Sequence, residues 1–493
     1  MRGVGQGMVG VVGAGIGGLS AAMLLAAAGR DVVVLERAAQ PGGKVGATLL
    51  DGLAVDHGPG VLTLLPLFES LFADAGASLS DHLTPRRLPL LGRHFWRDGS
   101  VLDLPADPAA AADAIGQFAG PAAARGFRDL AARAARSYAA LEPSFLTVQR
   151  PGALALGAQA GLRGLLGSSP FGTLWDALGE HFEDPRLRQV FSRVSTYVGA
   201  SPLLAPATLM LVLHVELSGM FALDGGMATL PRAMAAVAAA RGARFRYGAA
   251  VRDVIVARGR VTGVTLADGE VLPLSQVILN AEPATIAGGH LGQAVIRAVP
   301  KPDPAKRSFA CIAWAMAGRA EGLELPRLSV FHSADAAAEF ADLTYRARMP
   351  AQPSVTLWAH DRDGVSPAPP GREGLLALVG APARADSRRM DAAALAPVEE
   401  AVFAAMERAG LRITRDATAM ATPADQERAN PGTGGALFGQ AAHGWQSIFS
   451  RPAARTPIPG LFLAGGGTHP GSGVAMAAIS GRLAAQAAMA ERA

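Results

Sequence analysis

Near the start of the chain, apolar and polar positions fall into short blocks. An apolar run from Met8 to Val12 leads into Gly13-Ala14-Gly15-Ile16-Gly17-Gly18. Small residues then continue to Gly29, and a second apolar run, Val32 to Leu35, stops at Glu36. Short apolar runs bounded by glycine read as buried strands, and the small-residue stretch between them as a helix ended by Gly29. The order predicts a βαβ dinucleotide unit. Gly13 allows a tight turn, Gly15 lets backbone approach a pyrophosphate, Gly18 lets the helix pack on the strand, and Glu36 accepts from ribose hydroxyls. The uncharged stretch from Met8 to Gly29 also has the length of a bilayer span. The glycines between Gly10 and Gly18 break it, and only Arg2 precedes it, so neither a span nor a signal peptide is expected.

Further along, Pro41-Gly42-Gly43-Lys44 reads as a turn, either lying over the nucleotide with Lys44 or Arg37 near phosphate or simply at the surface. Asp56-His57-Gly58-Pro59-Gly60-Val61-Leu62-Thr63 is a tight loop of the kind that brings backbone close to a planar ligand. Phe95 to Val101 reads as a hairpin around Asp98-Gly99, and Asp107 to Leu141 as an alanine-rich helix. The uncharged run from Val194 to Val215 is interrupted by Pro202 and Pro206. Its end, Ala207 to Glu216, is expected to be a short apolar helix that lines a cavity, dips into a bilayer surface or sits in the core.

Gly225-Gly226-Met227 opens a helix over Leu230 to Ala240. Strand patterns follow at Arg244 to Tyr247, Val251 to Val256 and Val277 to Ala281, with a hairpin turn at Ala267 to Glu270. These segments are expected to add strands to the first sheet. A second excursion, from about Pro300 to Ala442, is rich in proline at Pro367 to Pro370. The closing stretch runs from an apolar strand at Leu461 through Gly465-Gly466-Gly467-Thr468-His469-Pro470-Gly471-Ser472-Gly473 into a helix, Val474 to Ala490. A second helix start behind a glycine loop, at the opposite end of the chain, suits a two-headed cofactor, so FAD is favoured over NAD.

Composition adds limits. Half of the 493 residues are hydrophobic and 17% are charged, with a mean hydropathy of +0.25. This suggests a large apolar cavity, a membrane-facing surface, or both. The charge of +4 comes almost wholly from arginine, the lysines being Lys44, Lys301 and Lys306. No basic run interleaved with aromatics is present, so nucleic-acid binding is not expected, whereas contact with anionic lipid headgroups fits. Cys311 is the single cysteine, which excludes an intramolecular disulfide and fits a reducing compartment. The ten histidines show no ligand spacing, so no metal centre is expected.

GAGIGGLSAA with Glu36 and Arg37, the Pro-Gly-Gly-Lys turn, the DHGPGVLT loop and LAGGGTHPGSGV occur here in one order across nearly the whole chain. Together they resemble the FAD-dependent carotenoid desaturases of the phytoene desaturase family. The last two motifs are the specific ones, since GxGxxG is shared by many flavoproteins. Within that family, HFWRDGSVLDL, Ala205-Pro206-Ala207-Thr208 and the Gly473 to Ala478 segment look most like the hydroxycarotenoid (methoxyneurosporene) 3,4-desaturases of purple bacteria. Ala475 stands where the family usually has proline, and His57 where a small residue is common.

The resemblance implies an α/β fold: a Rossmann-like FAD-binding domain of the amine oxidase type with a discontinuous α+β substrate domain. The expected division is 1–78, 222–300 and 447–493 for the cofactor and 79–221 and 301–446 for a substrate- and membrane-facing part. It implies FAD held by Gly13, Gly15, Gly18, Glu36, Arg37, Gly43, Lys44, Gly60, Val251, Gly466, Gly473, Val474 and Met476. The implied reaction desaturates an acyclic 1-hydroxy or 1-methoxy carotenoid such as hydroxyneurosporene at C3–C4, on the cytoplasmic face of the inner membrane, with oxygen or a quinone as acceptor. Other implied readings are phytoene desaturase, a carotenoid isomerase or, more distantly, an amine or porphyrinogen oxidase; a flavin-free lipid-carrying chaperone is the non-enzyme reading. No convincing general base is visible: His57 and Glu216 are candidates by position alone, and a buried, hydrogen-bonded His57 or a salt-bridged Glu216 is the favoured reading of each.

Overall fold

The computed structural model describes residues 7–149, 172–362 and 371–491. The proline-rich segment Pro367 to Pro370 lies outside the described residues. Val9–Val12 and Val32–Glu36 pair in parallel around the Ile16–Ala27 helix, as the block pattern predicts. Arg244–Tyr247 adds outside Val32–Glu36, and Gln276–Leu279 followed by Leu461–Leu463 extends the other side. The result is a five-stranded parallel sheet, with strands contributed by both ends of the chain and by its middle.

Strand alternation divides the side chains of this sheet between two cores. Val9, Val11, Val32 and Val34 pack against the helices Ile16–Ala27, Thr229–Ala240 and Val474–Ala490. Val12, Val33, Leu35, Val277 and Leu279 face a three-stranded antiparallel sheet of Val251–Ala257, Arg260–Leu266 and Val271–Pro273. The Ile16–Ala27 helix is buried on nearly every side, which explains its lack of charge.

The rest of the chain builds around a seven-stranded sheet in the order 412–421, 310–321, 373–381, 355–359, 328–331, 90–95, 101–105. Only the 328–331 and 90–95 pairing is parallel. The long strand Ala310–Glu321 has two different faces. Ile312, Trp314 and Met316 pack under the Ala392–Arg408 helix, while Ala313, Ala315 and Ala317 face the helical segments between 108 and 217. Small residues on that second face leave the sheet without bulk where a ligand space opens.

The alanine-rich helix from Asp107 to Leu141 is present, with Asp107 capping it by accepting from the N–H groups of Ala109 and Ala110. It is broken once, because Gly120 takes φ +88 and Pro121 has no N–H to continue the ladder. The short helix predicted after Pro206 is a tight turn at Ala207–Met210 continued by Leu211–Ser218. No helix among the described residues is long and apolar enough to cross a membrane.

Candidate functional site

The glycines of the first loop are fixed by close backbone approach. A methyl group at Gly18 would lie 2.1 Å from the Gly13 carbonyl oxygen, and Gly13 itself holds φ +98. A methyl at Gly17 would lie 2.7 Å from the Gly465 nitrogen, and one at Gly481 would lie 2.0 Å from the Gly17 carbonyl oxygen. Ser20 Oγ donates to the Ala478 carbonyl at 2.8 Å, and Gly465 N–H donates to Ser480 Oγ at 3.2 Å. The first and last helices are thereby locked together, and both glycine loops open onto one space.

Glu36, at the end of its strand, is buried and accepts from Ala14 N–H at 2.6 Å and Ala38 N–H at 2.8 Å. These two bonds leave carboxylate lone pairs toward the cavity that Glu36 and the exposed Arg37 border. Val251 lies on the same rim. Asn280, which the sequence pattern places only at the end of a buried strand, bridges the site: its Nδ2 donates to Gly13 O at 3.4 Å, and a methyl on Gly15 would lie 2.6 Å from that nitrogen. The only sequence signal was a polar residue closing the apolar run Val277 to Leu279.

The Pro-Gly-Gly-Lys turn does lie over the loop, because Gly42 N–H donates to Ala14 O at 2.8 Å and Gly43, at φ +60, sits beside the Gly15 backbone. Lys44 borders the same cavity as the glycine loops, with its Nζ 2.5 Å from Glu282 Oε1 and also bonded to the Leu437 carbonyl. Arg451 donates to the carbonyls of Gly466 at 2.7 Å and Gln440 at 2.9 Å; burial lowers its pKa while Glu282 raises it. Glu282 and Arg451 were not singled out from the sequence, since neither sits in a recognisable motif.

At the far loop, Gly473 takes φ +111 and the Val474–Ala490 helix starts without a side-chain cap. Its first N–H donors lie beside the cavity that Gly466, Gly473, Val474 and Met476 border. Gly60 is wedged against the sheet: a methyl there would lie 2.3 Å from the Trp358 ring, and its carbonyl accepts from Arg327 Nε at 2.9 Å.

The two candidate bases differ. His57 borders the cavity, with Nδ1 3.1 Å from Thr48 Oγ1, and burial lowers its pKa, so it is neutral near pH 7. Glu216 is 3% exposed and ion-paired with Arg193 at 2.8 Å. Its two oxygens are both engaged by the Arg193 guanidinium, which holds the carboxylate in the wall of the cavity. Among the described residues, no group of His, Cys, Asp and Glu is arranged to hold a metal.

All these elements border one cavity of about 2080 Å³, against roughly 300–1,000 Å³ for ordinary small-molecule sites. One end carries the glycine loops, Glu36 and the uncapped helix starts. The other is walled by Ala313, Ala315, Leu376 and Leu378 of the sheet, and Leu209, Val212 and Val215 of the short helix also line the cavity. The first end has the donor set for an elongated dinucleotide: two free helix starts, an acid at the end of the second strand, and glycine cradles with no room for side chains. A flavin dinucleotide fits it, and the second end has the shape and chemistry for a long apolar molecule.

Comparison with known proteins agrees. Residues 16–314 match the family described as flavin containing amine oxidoreductase. The chain is 43% identical to hydroxyneurosporene desaturase of Rubrivivax gelatinosus, covering 97% of this chain and 93% of the relative. It is 39% identical to hydroxyneurosporene desaturase of Cereibacter sphaeroides, covering 98% and 97%. Putrescine oxidase bound to putrescine shares the fold, with a TM-score of 0.62 at 16% identity over 99% of both chains. With its paired glycine loops and single long cavity, the chain belongs to the flavin containing amine oxidoreductase family, in the branch of FAD-dependent carotenoid desaturases.

Proposed function

We propose that this protein introduces a C3–C4 double bond into an acyclic carotenoid carrying a 1-hydroxy or 1-methoxy end, of the hydroxyneurosporene type. The observation that carries the reading is the continuity of the cavity, which joins a dinucleotide-shaped end to an apolar end. Bound FAD supplies the oxidising power, as the acceptor of a hydride from the substrate. Gly13, Gly15 and Gly18 hold the pyrophosphate against the first helix start, Glu36 takes the adenosine ribose, and Val251 offers backbone to adenine. Arg37 and Gly43 flank the phosphate side. Lys44 works with Glu282 and Arg451 as a polar frame at the opposite end, and Gly60, Gly466, Gly473, Val474 and Met476 border the ring.

The apolar wall orients the polyene and keeps water out. A cation formed beside a conjugated polyene is delocalised and its neighbouring proton is acidic, so no strong base is required. A neutral His57 and an ion-paired Glu216 agree with that. The cofactor part comprises 1–78, 222–300 and 447–493, and the substrate part 79–221 and 301–446. Entry is from a lipid surface: Met420 and Trp445 border the cavity while being 41% and 42% exposed, and Leu49 is 71% exposed. Those exposed apolar side chains support a peripheral position on the cytoplasmic face of the inner membrane, from which release by high salt or mild detergent is expected. Oxygen or a quinone would serve as the final electron acceptor.

The test supplies purified protein and lipid with 1-hydroxy acyclic carotenes and with phytoene in separate reactions, followed by product analysis. A red shift of the polyene bands with the hydroxylated substrate is expected. Turnover of phytoene alone, or faster turnover of a small amine, overturns the reading.

A further inference from the structure

Among the described residues, Glu216 is the most deeply buried charged group on the cavity wall. It follows Leu209, Val212 and Val215 on an apolar stretch of the cavity wall, in the helix that contacts the Leu62–Thr63 strand following the Gly60 loop. Its oxygens meet Arg193 Nη1 at 2.8 Å and Nη2 at 3.3 Å, and Arg193 also bonds the hydroxyl of Tyr197. Arg193 lies behind the wall, whereas Glu216 and Tyr197 border the cavity. A buried ion pair seldom adds stability over well-packed apolar side chains, so its position in an otherwise apolar wall calls for another reason. A carboxylate has about four lone-pair sites; Arg193 takes one at each oxygen and the Tyr197 hydroxyl a further one, which leaves room for another donor.

Resting on the function proposed above, we infer that Glu216, charge-balanced by Arg193 and flanked by Tyr197, is the acceptor that anchors the hydroxyl end of the substrate and so determines preference for hydroxylated carotenoids. An apolar tunnel alone discriminates poorly between a plain chain end and one bearing a hydroxyl, whereas a buried acceptor disfavours the partner that leaves it unmet. The cluster also sits where such an anchor has use. Gly199, at the end of the turn that holds Tyr197, abuts Phe438; a methyl on it would lie 2.6 Å from that ring. The Phe438 carbonyl accepts from Arg451, which also holds the Gly466 carbonyl of the cofactor-side loop. The C1 carbon that bears the substrate hydroxyl is only two bonds from C3. Fixing it therefore determines which carbon pair is offered for oxidation.

The experiment measures binding of a 1-hydroxy acyclic carotene and its unhydroxylated counterpart by the shift of polyene absorption, and turnover of both. It compares wild type with Glu216→Gln and with the double variant Arg193→Met/Glu216→Leu, which replaces the pair with packing side chains. Wild type is expected to bind the hydroxylated compound about 10- to 100-fold more tightly, the range of a charge-assisted hydrogen bond. That ratio is expected to fall in Glu216→Gln and approach one in the double variant, with flavin content unchanged. A ratio near one in wild type, or an unaltered ratio in both variants, overturns the anchor. Intact binding preference with no desaturation of either compound would instead overturn the proposed reaction and leave the anchor standing.

Discussion

The contact between the first and last helices sets up a sharp test at Gly481. This residue lies outside the cavity lining, so its replacement acts only through packing. A methyl group there would lie 2.0 Å from the Gly17 carbonyl oxygen, 2.9 Å from the Gly17 carbonyl carbon and 2.7 Å from Ser20 Cβ. Two of those atoms are backbone and cannot rotate away, so in Gly481→Ala the helices must separate by roughly 1 Å to reach ordinary contact. Overpacking of this kind costs about 1–3 kcal/mol. Both helix starts reach one flavin only when the helices are docked. The strain is therefore expected to weaken FAD affinity by about 5- to 150-fold, the ratio equivalent to that energy. Apoprotein titrated with FAD, followed by flavin fluorescence, gives the number, and thermal melting with and without FAD separates affinity from global stability. Affinity equal to wild type would refute the idea that head-to-tail packing positions the phosphate loop.

Glu36→Arg and Gly15→Val should each abolish FAD retention, the first by charge and lost acceptors for Ala14 and Ala38, the second by collision with Asn280; normal flavin absorbance in either contradicts the placement. Ala315→Phe, on the small-residue face of the sheet, should retain flavin while losing carotenoid turnover, and unchanged turnover would show that the substrate lies elsewhere. His332 and His360 are held to a pKa of about 3, chiefly by burial and secondarily by Arg193 and Arg327 respectively, while the unfolded chain protonates them near 6.5. Their contribution is whole above pH 6.5 and is lost as pH falls toward 3, by about 1.4 kcal/mol per pH unit for each. Denaturant melts across that window should show the slope, and a flat profile between pH 6.5 and 4 would contradict it.

The sequence pattern was most informative where local chemistry decides the structure. The block order from Val9 to Glu36 follows from glycine contacts and strand burial within one short segment, and the helix start at Val474 follows from the glycine loop before it. Asn280 and Glu282 were not legible because their partners lie far away in the chain, and Arg451 because it binds backbone carbonyls, which no side-chain pattern marks. Lys44, for example, meets Glu282 only after the sheet has brought the two segments together. The same holds for Glu216, whose position gave no sign of Arg193 behind it. The break at Gly120-Pro121 had a local signal, but the surrounding alanines read as one continuous helix.

The parallel sheet has a consequence for how the protein forms. Gln276–Leu279 pairs on one side with Val9–Val12 and on the other with Leu461–Leu463, so the sheet is complete only when three segments far apart in the sequence have met. Such non-local pairing slows folding and leaves strand edges and apolar faces open in the meantime. A variant that loosens Leu461–Leu463 would uncover the edge of Gln276–Leu279 and turn it into a template for aggregation.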